Sequence, residues 1–244
     1  NYYGVKLLNV FPQNPLKGME RVKALYVLFN KKNGSIYSIL DGTELTKHRT
    51  AAMSALASKF LSNKKSKKLL IIGTGALASY MISAHISVRP IEEVFVWGRN
   101  YKKAKKIVES FQNNNVKLTA TKNLESACKF MDIICTVTSS SKPLLYKEWL
   151  KKGVHLDLVG AHTRSMMELD SKSFDIGDIY VEDLNSALEE AGDLIDSLSK
   201  GIITKKNIKG DISKLIKNNK YIRNKEDQCT IFKSVGHPLS DLAA

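Results

Sequence analysis

Three shortages in the sequence each close off a class of protein. No apolar run approaches the roughly 20 residues that a bilayer-spanning helix needs, so no helical membrane span is expected. Cysteine is scarce: Cys128, Cys135 and Cys229 lie far apart, with neither a CxxC pair nor metal-type spacing. Three such thiols do not build a disulfide scaffold and suggest no metal site, and they point to a reduced, cytoplasmic setting. Acidic residues are the third shortage, with 24 Asp and Glu against 38 Lys and Arg and a formal net charge of +14. That excess raises the question of nucleic acid. The lysines, however, fall in small separate groups: Lys64, Lys65, Lys67 and Lys68; Lys102, Lys103, Lys105 and Lys106; Lys205, Lys206 and Lys209. A nucleic-acid site would gather arginines and aromatics on one face. Solvated faces account for these groups, and nucleic acid is not an expected partner.

What remains is an ordinary globular composition, 43% hydrophobic and 25% charged over 244 residues. That length gives room for one large domain or two small ones. There is no internal repeat or low-complexity tract. The chain starts at Asn1 in strand-like sequence and stops at SDLAA, which reads as the start of a helix. It is expected to be a piece of a longer protein.

The opening reads as antiparallel sheet. Val5–Phe11, Ala24–Asn30 and Ser35–Asp41 are strand candidates, and Asn33-Gly34 between the last two is a hairpin signal. Thr43–Leu61 then carries a helical period rich in alanine. Beyond it, apolar strands alternate with helices: Leu69–Gly73, Ala76–Ser87, Val94–Gly98, Tyr101–Phe111, Val116–Ala120, Leu124–Lys129, Asp132–Thr138, Val154–Gly160 and Asp178–Asp183. These strands lack clean polar alternation, as expected where helices cover both faces. The pattern predicts a doubly wound parallel α/β sheet of Rossmann type. Leu184–Asn218 reads as helices broken at Gly192, Gly201 and Gly210, and Cys229–Val235 as a last strand.

The most informative segment is Leu69–Ala78, LLIIGTGALA. An apolar strand runs into Gly73-Thr74-Gly75-Ala76-Leu77-Ala78, a GxGxxA turn, and a helix follows. In such a turn Gly73 permits the tight bend, Gly75 admits the pyrophosphate, and Ala78 lets helix and strand pack closely. The N–H groups and dipole of the helix start then favour phosphate. The next strand ends on Trp97-Gly98-Arg99-Asn100, without the acid that would bind the ribose hydroxyls of NAD. Arg99 offers a guanidinium to a 2′-phosphate, so NADP(H) is the expected cofactor, with NAD(H) the alternative.

With these motifs on the page, the chain resembles the ornithine cyclodeaminase/μ-crystallin family along nearly its whole length. The matching segments are Tyr3–Pro12 (YGVKLLNVFP), Leu40–Ala57, Leu69–Tyr80, Val96–Asn100, His155–His162, Glu189–Leu194 and Ile231–Gly236. The resemblance implies hydride exchange between nicotinamide and the α-carbon of an amino or imino acid. It also implies a homodimer formed through a smaller, mainly antiparallel domain built from both chain ends. Residues 1–48 and 229–244 are assigned to that domain, and 49–228 to the dinucleotide-binding domain. Lys6 and Arg49 match the family's substrate-carboxylate residues, and Thr50 its cofactor-phosphate contact. Thr136, Val137, Thr138 and Ser139 are expected beside the adenosine half, and Val159 and Gly160 beside the nicotinamide. Ser234, Val235 and Gly236 are expected to return from the other domain and close the cleft. Gly192 admits a second description, as a helix break only.

The departure from the family pattern is His162. Cyclodeaminases carry an aspartate there, acting on the substrate amine. A histidine exchanges protons near neutral pH but supplies no fixed negative charge. Glu168 lies too far along to be an obvious replacement, and Arg21 stands where cyclodeaminases often have a small hydroxyl residue. The motifs therefore resemble the Δ1-pyrroline-2-carboxylate (ketimine) reductase-like members most. The expected function is NADPH-dependent reduction of a cyclic imino acid, with Lys6, Arg49 and His162 as the catalytic set. The alternatives are ornithine cyclodeamination with NAD and a non-catalytic NADPH-binding protein of μ-crystallin type.

Overall fold

A computed structural model describes residues 1–111, 115–219 and 221–244. The chain forms two compact units, one of residues Asn1–Ala51 with Pro238–Ala244 and the other of Ala52–His237. Among the described residues no helix is long and apolar enough to cross a membrane.

The first unit is a three-stranded antiparallel sheet in the order β1-β2-β3, made by β1 (Tyr2–Val10), β2 (Val22–Asn30) and β3 (Ile36–Asp41). Val5 pairs with Val27 and Val27 with Ile39, so Tyr3, Val5, Leu7, Leu25 and Ile39 share one face. These five remain 43–62% exposed, and Tyr3 stacks on Phe29 at 5.0 Å. Lys6 lies on the opposite face, in register with Tyr26. Helix α1 (Gly42–Leu61) follows at once. The Asp41 carboxylate accepts from the N–H of Thr43 at 2.8 Å and of Glu44 at 3.1 Å, capping its start.

The second unit is an eight-stranded sheet whose pairings are all parallel. Its strands are β4 (Lys68–Ile72), β5 (Glu93–Trp97), β6 (Lys117–Thr121), β7 (Ile133–Thr136), β8 (His155–Leu158), β9 (Gly177–Val181), β10 (Ile208–Asp211) and β11 (Cys229–Lys233). The order is β10-β9-β11-β8-β7-β4-β5-β6, the doubly wound arrangement the alternating sequence predicts. Ile133–Thr136 and His155–Leu158 are buried throughout, the mark of strands covered on both faces. The helices are α2 (Ala78–Val88), α3 (Tyr101–Ser110), α4 (Leu124–Cys128), α5 (Leu184–Glu190), α6 (Gly192–Ser199) and α7 (Ile212–Asn218). A last short helix, α8 (Pro238–Ala243), belongs to the first unit.

Three expectations are corrected. Cys229–Lys233 does not join the antiparallel strands; it lies between β8 and β9 in the parallel sheet, and only Pro238–Ala244 joins the first unit. Its apolar run suits any buried sheet, so nothing local told the two apart. Gly210 does not break a helix. It sits in β10, an edge strand paired to β9. Helix α2 begins at Ala78 rather than Ala76, because Gly75–Leu77 form a turn closed by Ala78 N–H to the Gly75 carbonyl at 3.2 Å.

Candidate active site

The glycine turn is built as its sequence implies. Gly73 has φ +132°, and a Cβ there would lie 2.7 Å from the Val137 carbonyl oxygen, so both conformation and space demand glycine. At Gly75 a Cβ would meet nothing within 4 Å, which leaves open the side on which a pyrophosphate would approach. Helix α2 has no side-chain cap and no acid in its first turn, so its leading N–H groups suit an anion. A dinucleotide therefore fits these residues. At the end of β5, a Cβ on Gly98 would fall 2.6 Å from Thr74 Cγ2, Arg99 is exposed, and Asn100 caps α3 by accepting from Lys103 N–H at 3.3 Å.

Along the carboxyl ends of the central strands, buried carboxylates organise the loops. Glu168 is fully buried and accepts five hydrogen bonds. Oε1 takes Thr138 N–H at 2.7 Å and its hydroxyl at 2.8 Å, while Oε2 takes the Thr136 hydroxyl and Gly160 N–H at 2.7 Å and Ala161 N–H at 3.1 Å. Burial pushes the Glu168 carboxyl above its usual range, against the Lys233 charge and these donated bonds, which work to lower it. Gly160 leaves room for the arrangement, since a Cβ would fall 2.3 Å from Glu168 Oε1. A second carboxylate, Glu182, accepts from the Ser234 hydroxyl at 2.5 Å and from Gly236 N–H at 3.0 Å. Lys233, fully buried, has its ammonium 3.4 Å from Asp193 Oδ1 at the start of α6.

These contacts redefine several expected site residues. The side chains of Thr136 and Thr138 turn to Glu168, while Val137 is half-buried and Ser139 exposed. Val159 and Gly160 are buried at the end of β8. Ser234, Val235 and Gly236 follow β11 within the second unit and do not come from the first, correcting the expected return. His162 is exposed, and its Nδ1 lies 2.8 Å from the Gly160 carbonyl oxygen. A carbonyl only accepts, so Nδ1 carries a proton in this contact. Gly192 is more than a helix break: a Cβ there would lie 2.3 Å from the Met166 carbonyl, so it admits the loop that follows His162.

In the first unit, the structure brings Lys6 and Arg49 to one carboxylate that sequence reasoning missed. Asp241 of α8 has Oδ2 2.5 Å from Lys6 Nζ and Oδ1 2.9 Å from Arg49 Nε, and its side chain is 4% exposed. Thr50, the next residue on α1, is buried. Arg21 lies partly buried just before β2. Glu168, Glu182, Lys233 and Asp241 carry no local signal; the one available hint was a charged residue inside or beside an otherwise apolar run.

With that geometry in view, known proteins place the chain. A Delta(1)-pyrroline-2-carboxylate reductase of Colwellia psychrerythraea is 35% identical over 244 residues, 99% of this chain and 77% of that protein. The structure of Thermococcus litoralis Delta(1)-pyrroline-2-carboxylate reductase in complex with NADH and L-proline matches with a TM-score of 0.93 at 31% identity. It covers 98% of this chain and 74% of that one. An archaeal alanine dehydrogenase dimer with bound NAD matches with a TM-score of 0.92, also at 31% identity, over 99% of this chain and 75% of that one. The profile of the ornithine cyclodeaminase/mu-crystallin family matches residues 1–244. This chain belongs to the ornithine cyclodeaminase/mu-crystallin family.

Proposed function

We propose that the protein is an NADPH-dependent reductase of a cyclic imino acid of the Δ1-pyrroline-2-carboxylate kind, forming the corresponding amino acid. The observation that carries this reading is the likeness, at 31–35% identity over nearly the whole chain, to reductases of that imino acid, one holding NADH and L-proline. The glycine turn and the Lys6–Arg49 pair supply the chemistry such a reaction needs.

When bound, the dinucleotide supplies a hydride to the carbon of the C=N bond. The backbone of Gly73, Thr74, Gly75, Ala76 and Leu77 holds its pyrophosphate, and Arg99 beside Gly98 and Asn100 holds the 2′-phosphate of NADP. Thr136 and Thr138 have their hydroxyls on Glu168, so with Val137 and Ser139 they act on the adenosine half chiefly through the backbone. Val159, Gly160 and Ser234 serve the nicotinamide side, and Thr50 a cofactor phosphate. Lys6 and Arg49 orient the substrate carboxylate, with Val235 and Gly236 as further substrate contacts. Reduction also needs a proton at the imine nitrogen. His162 suits that role as an imidazolium, with Nδ1–H held by the Gly160 carbonyl and Nε2–H the proton given to the imine nitrogen, leaving a neutral imidazole that solvent reprotonates.

A homodimer and a cytoplasmic location belong to the same reading. The dimeric archaeal relative and the exposed apolar face of β1–β3 support the first, and three free cysteines support the second.

The test is an assay of the full-length protein with NADPH and Δ1-pyrroline-2-carboxylate beside one with ornithine and NAD, following ammonia. NADPH oxidation in the first is expected. Ammonia release from ornithine would replace the reading with cyclodeamination, and tight NADPH binding without turnover in either assay would make the protein a dinucleotide binder. For the cofactor, Arg99→Asp is expected to lower the preference for NADPH over NADH by at least about tenfold, the equivalent of about 1.4 kcal/mol. An unchanged ratio would remove Arg99 from the site.

A further inference from the structure

His162 stands between a fixed point and a turn. On one side of it, the N–H groups of Gly160 and Ala161 are held by Glu168 Oε2 at 2.7 and 3.1 Å. On the other side the chain turns over Thr163–Met166, closed by Met166 N–H on the Thr163 carbonyl at 3.0 Å. Carbonyls of that turn crowd the start of α6. A Cβ built on Gly192 would lie 2.3 Å from the Met166 oxygen, 2.7 Å from that of Arg164 and 2.8 Å from that of Thr163. All three atoms are backbone, so no change of rotamer relieves the overlap. A second contact ties the same two segments together: Arg164 Nε donates to the carbonyl of Glu189, in the last turn of α5, at 2.8 Å.

A methyl at position 192 would have to be accommodated by one side or the other, and burial decides which. Gly192, Asp193 and Leu194 are buried. Asp193 Oδ1 lies 3.4 Å from Lys233 Nζ, both side chains being fully buried, and further along α6 the Ser197 hydroxyl donates to the Ser171 carbonyl at 2.9 Å. Moving this helix start would disturb a close-packed core and a buried ion pair. Residues 162–165 are exposed, and an exposed turn gives way at less cost. The strain of a side chain at position 192 therefore falls on the turn. Because Gly160 and Ala161 are held by Glu168, a displacement that starts at Thr163 is taken up at His162.

We propose that Gly192 is a positioning residue for proton transfer: by letting the Thr163–Met166 turn seat on the start of α6, it sets where His162 stands. The inference rests on the reading of His162 as the proton donor of imino-acid reduction, and it adds a residue that acts only through His162. Arg164 serves the same end from the turn itself, through its bond to α5.

The experiment compares the full-length wild-type protein with G192A, R164L, H162Q and the double variant G192A/H162Q. Reduction of Δ1-pyrroline-2-carboxylate by NADPH is followed in water and in heavy water, and NADPH binding by fluorescence. Displacing a reacting group by about 1 Å costs up to about a hundredfold in rate, so G192A is expected to lower kcat at least about tenfold. Its KM should change less than its kcat, and NADPH binding should stay within about twofold of wild type. The solvent isotope effect on kcat should rise above the wild-type value, because proton delivery becomes the slower step. In the H162Q background, G192A should cost almost nothing further, since the group it misplaces is already gone. R164L should lower kcat in the same direction by a smaller factor.

A wild-type kcat and isotope effect in G192A would overturn the proposal while leaving the His162 reading intact. The same fold loss from G192A with and without His162 would also overturn it, by giving Gly192 a role apart from the proton donor. Should G192A fail to fold, R164L decides: its side chain is exposed, and a wild-type kcat there overturns the proposal. If H162Q keeps the wild-type kcat, or the wild-type protein reduces no imino acid, the reading of His162 fails and the proposal falls with it.

Discussion

Two glycines two positions apart in the same turn do different work, and replacing each by alanine separates their roles. Gly73 holds φ +132° with the Val137 carbonyl against it, so Gly73→Ala combines an unfavourable backbone conformation with a backbone clash. Such strain costs about 2–3 kcal/mol, and differential scanning calorimetry should show a loss in Tm of roughly 4–10 °C. At Gly75 an added methyl meets nothing, so Gly75→Ala should keep Tm within about 2 °C, as unconstrained surface changes do. It should nonetheless weaken NADPH binding about tenfold, read by cofactor fluorescence, because the methyl fills the space for the pyrophosphate. Equal effects of the two substitutions would refute the division of roles. These glycines were legible in the sequence because turn chemistry is local: strand, bend and helix start lie within ten residues. Glu168 was not legible in the same way. Its five donors come from the end of β7 and from loops, 7–32 positions away, and only the closed sheet brings them to one carboxylate.

At the scale of elements, the entry to the sheet depends on one carboxylate. Asp132, just before β7, accepts from the N–H groups of Lys67 and Lys68 at 2.7 and 2.9 Å and from Lys151 Nζ at 2.5 Å. It thereby ties the start of β4 to the start of β7. Burial works to raise its pKa, but the Lys151 ammonium and the two backbone donors outweigh that and hold it below the usual carboxylate range. The sign follows: folding favours the ionised form, so the stabilisation is complete above the unfolded-state pKa near 4 and is lost as pH falls through the lower folded-state value. Asp132→Asn should cost about 1–3 kcal/mol at pH 7 by urea denaturation, and the gap to wild type should narrow below about pH 4. A gap independent of pH would contradict the assignment. Most elements were legible because their signals are periodic and contiguous, as in α1 and β4. Strands β10 and β11 show the limit. The first is a four-residue edge strand containing Gly210, and the second is an apolar run whose partners are fixed only by the order in which eight strands close.

For the whole molecule, charge and apolar surface point in different directions. A net charge of +14 spread over separate lysine groups keeps copies apart by repulsion, yet Val5, Leu7, Leu25 and Ile39 form a contiguous exposed face on one sheet. A second copy seated on that face would remove apolar area from water, while salt screens the dispersed charge repulsion that opposes it. Light scattering at about 150 mM salt should therefore give twice the chain mass of 27.2 kDa, and Ile39→Glu should return it to the single-chain value. A wild-type mass of one chain would refute the dimer.

The place of β11 has a consequence for synthesis. The strand comes last in sequence of the eight in its sheet, yet its slot is internal, with β8 on one side and β9 on the other. Until Cys229–Lys233 leaves the ribosome, those two strands have no common partner, and their facing edges present unpaired backbone groups. The nascent chain can assemble the β7-β4-β5-β6 half early, but the half that carries Glu182 and Ser234 must wait. The two halves of the sheet therefore mature at different times, and the interval between them is when an incomplete chain is most exposed to chaperones and to misassembly.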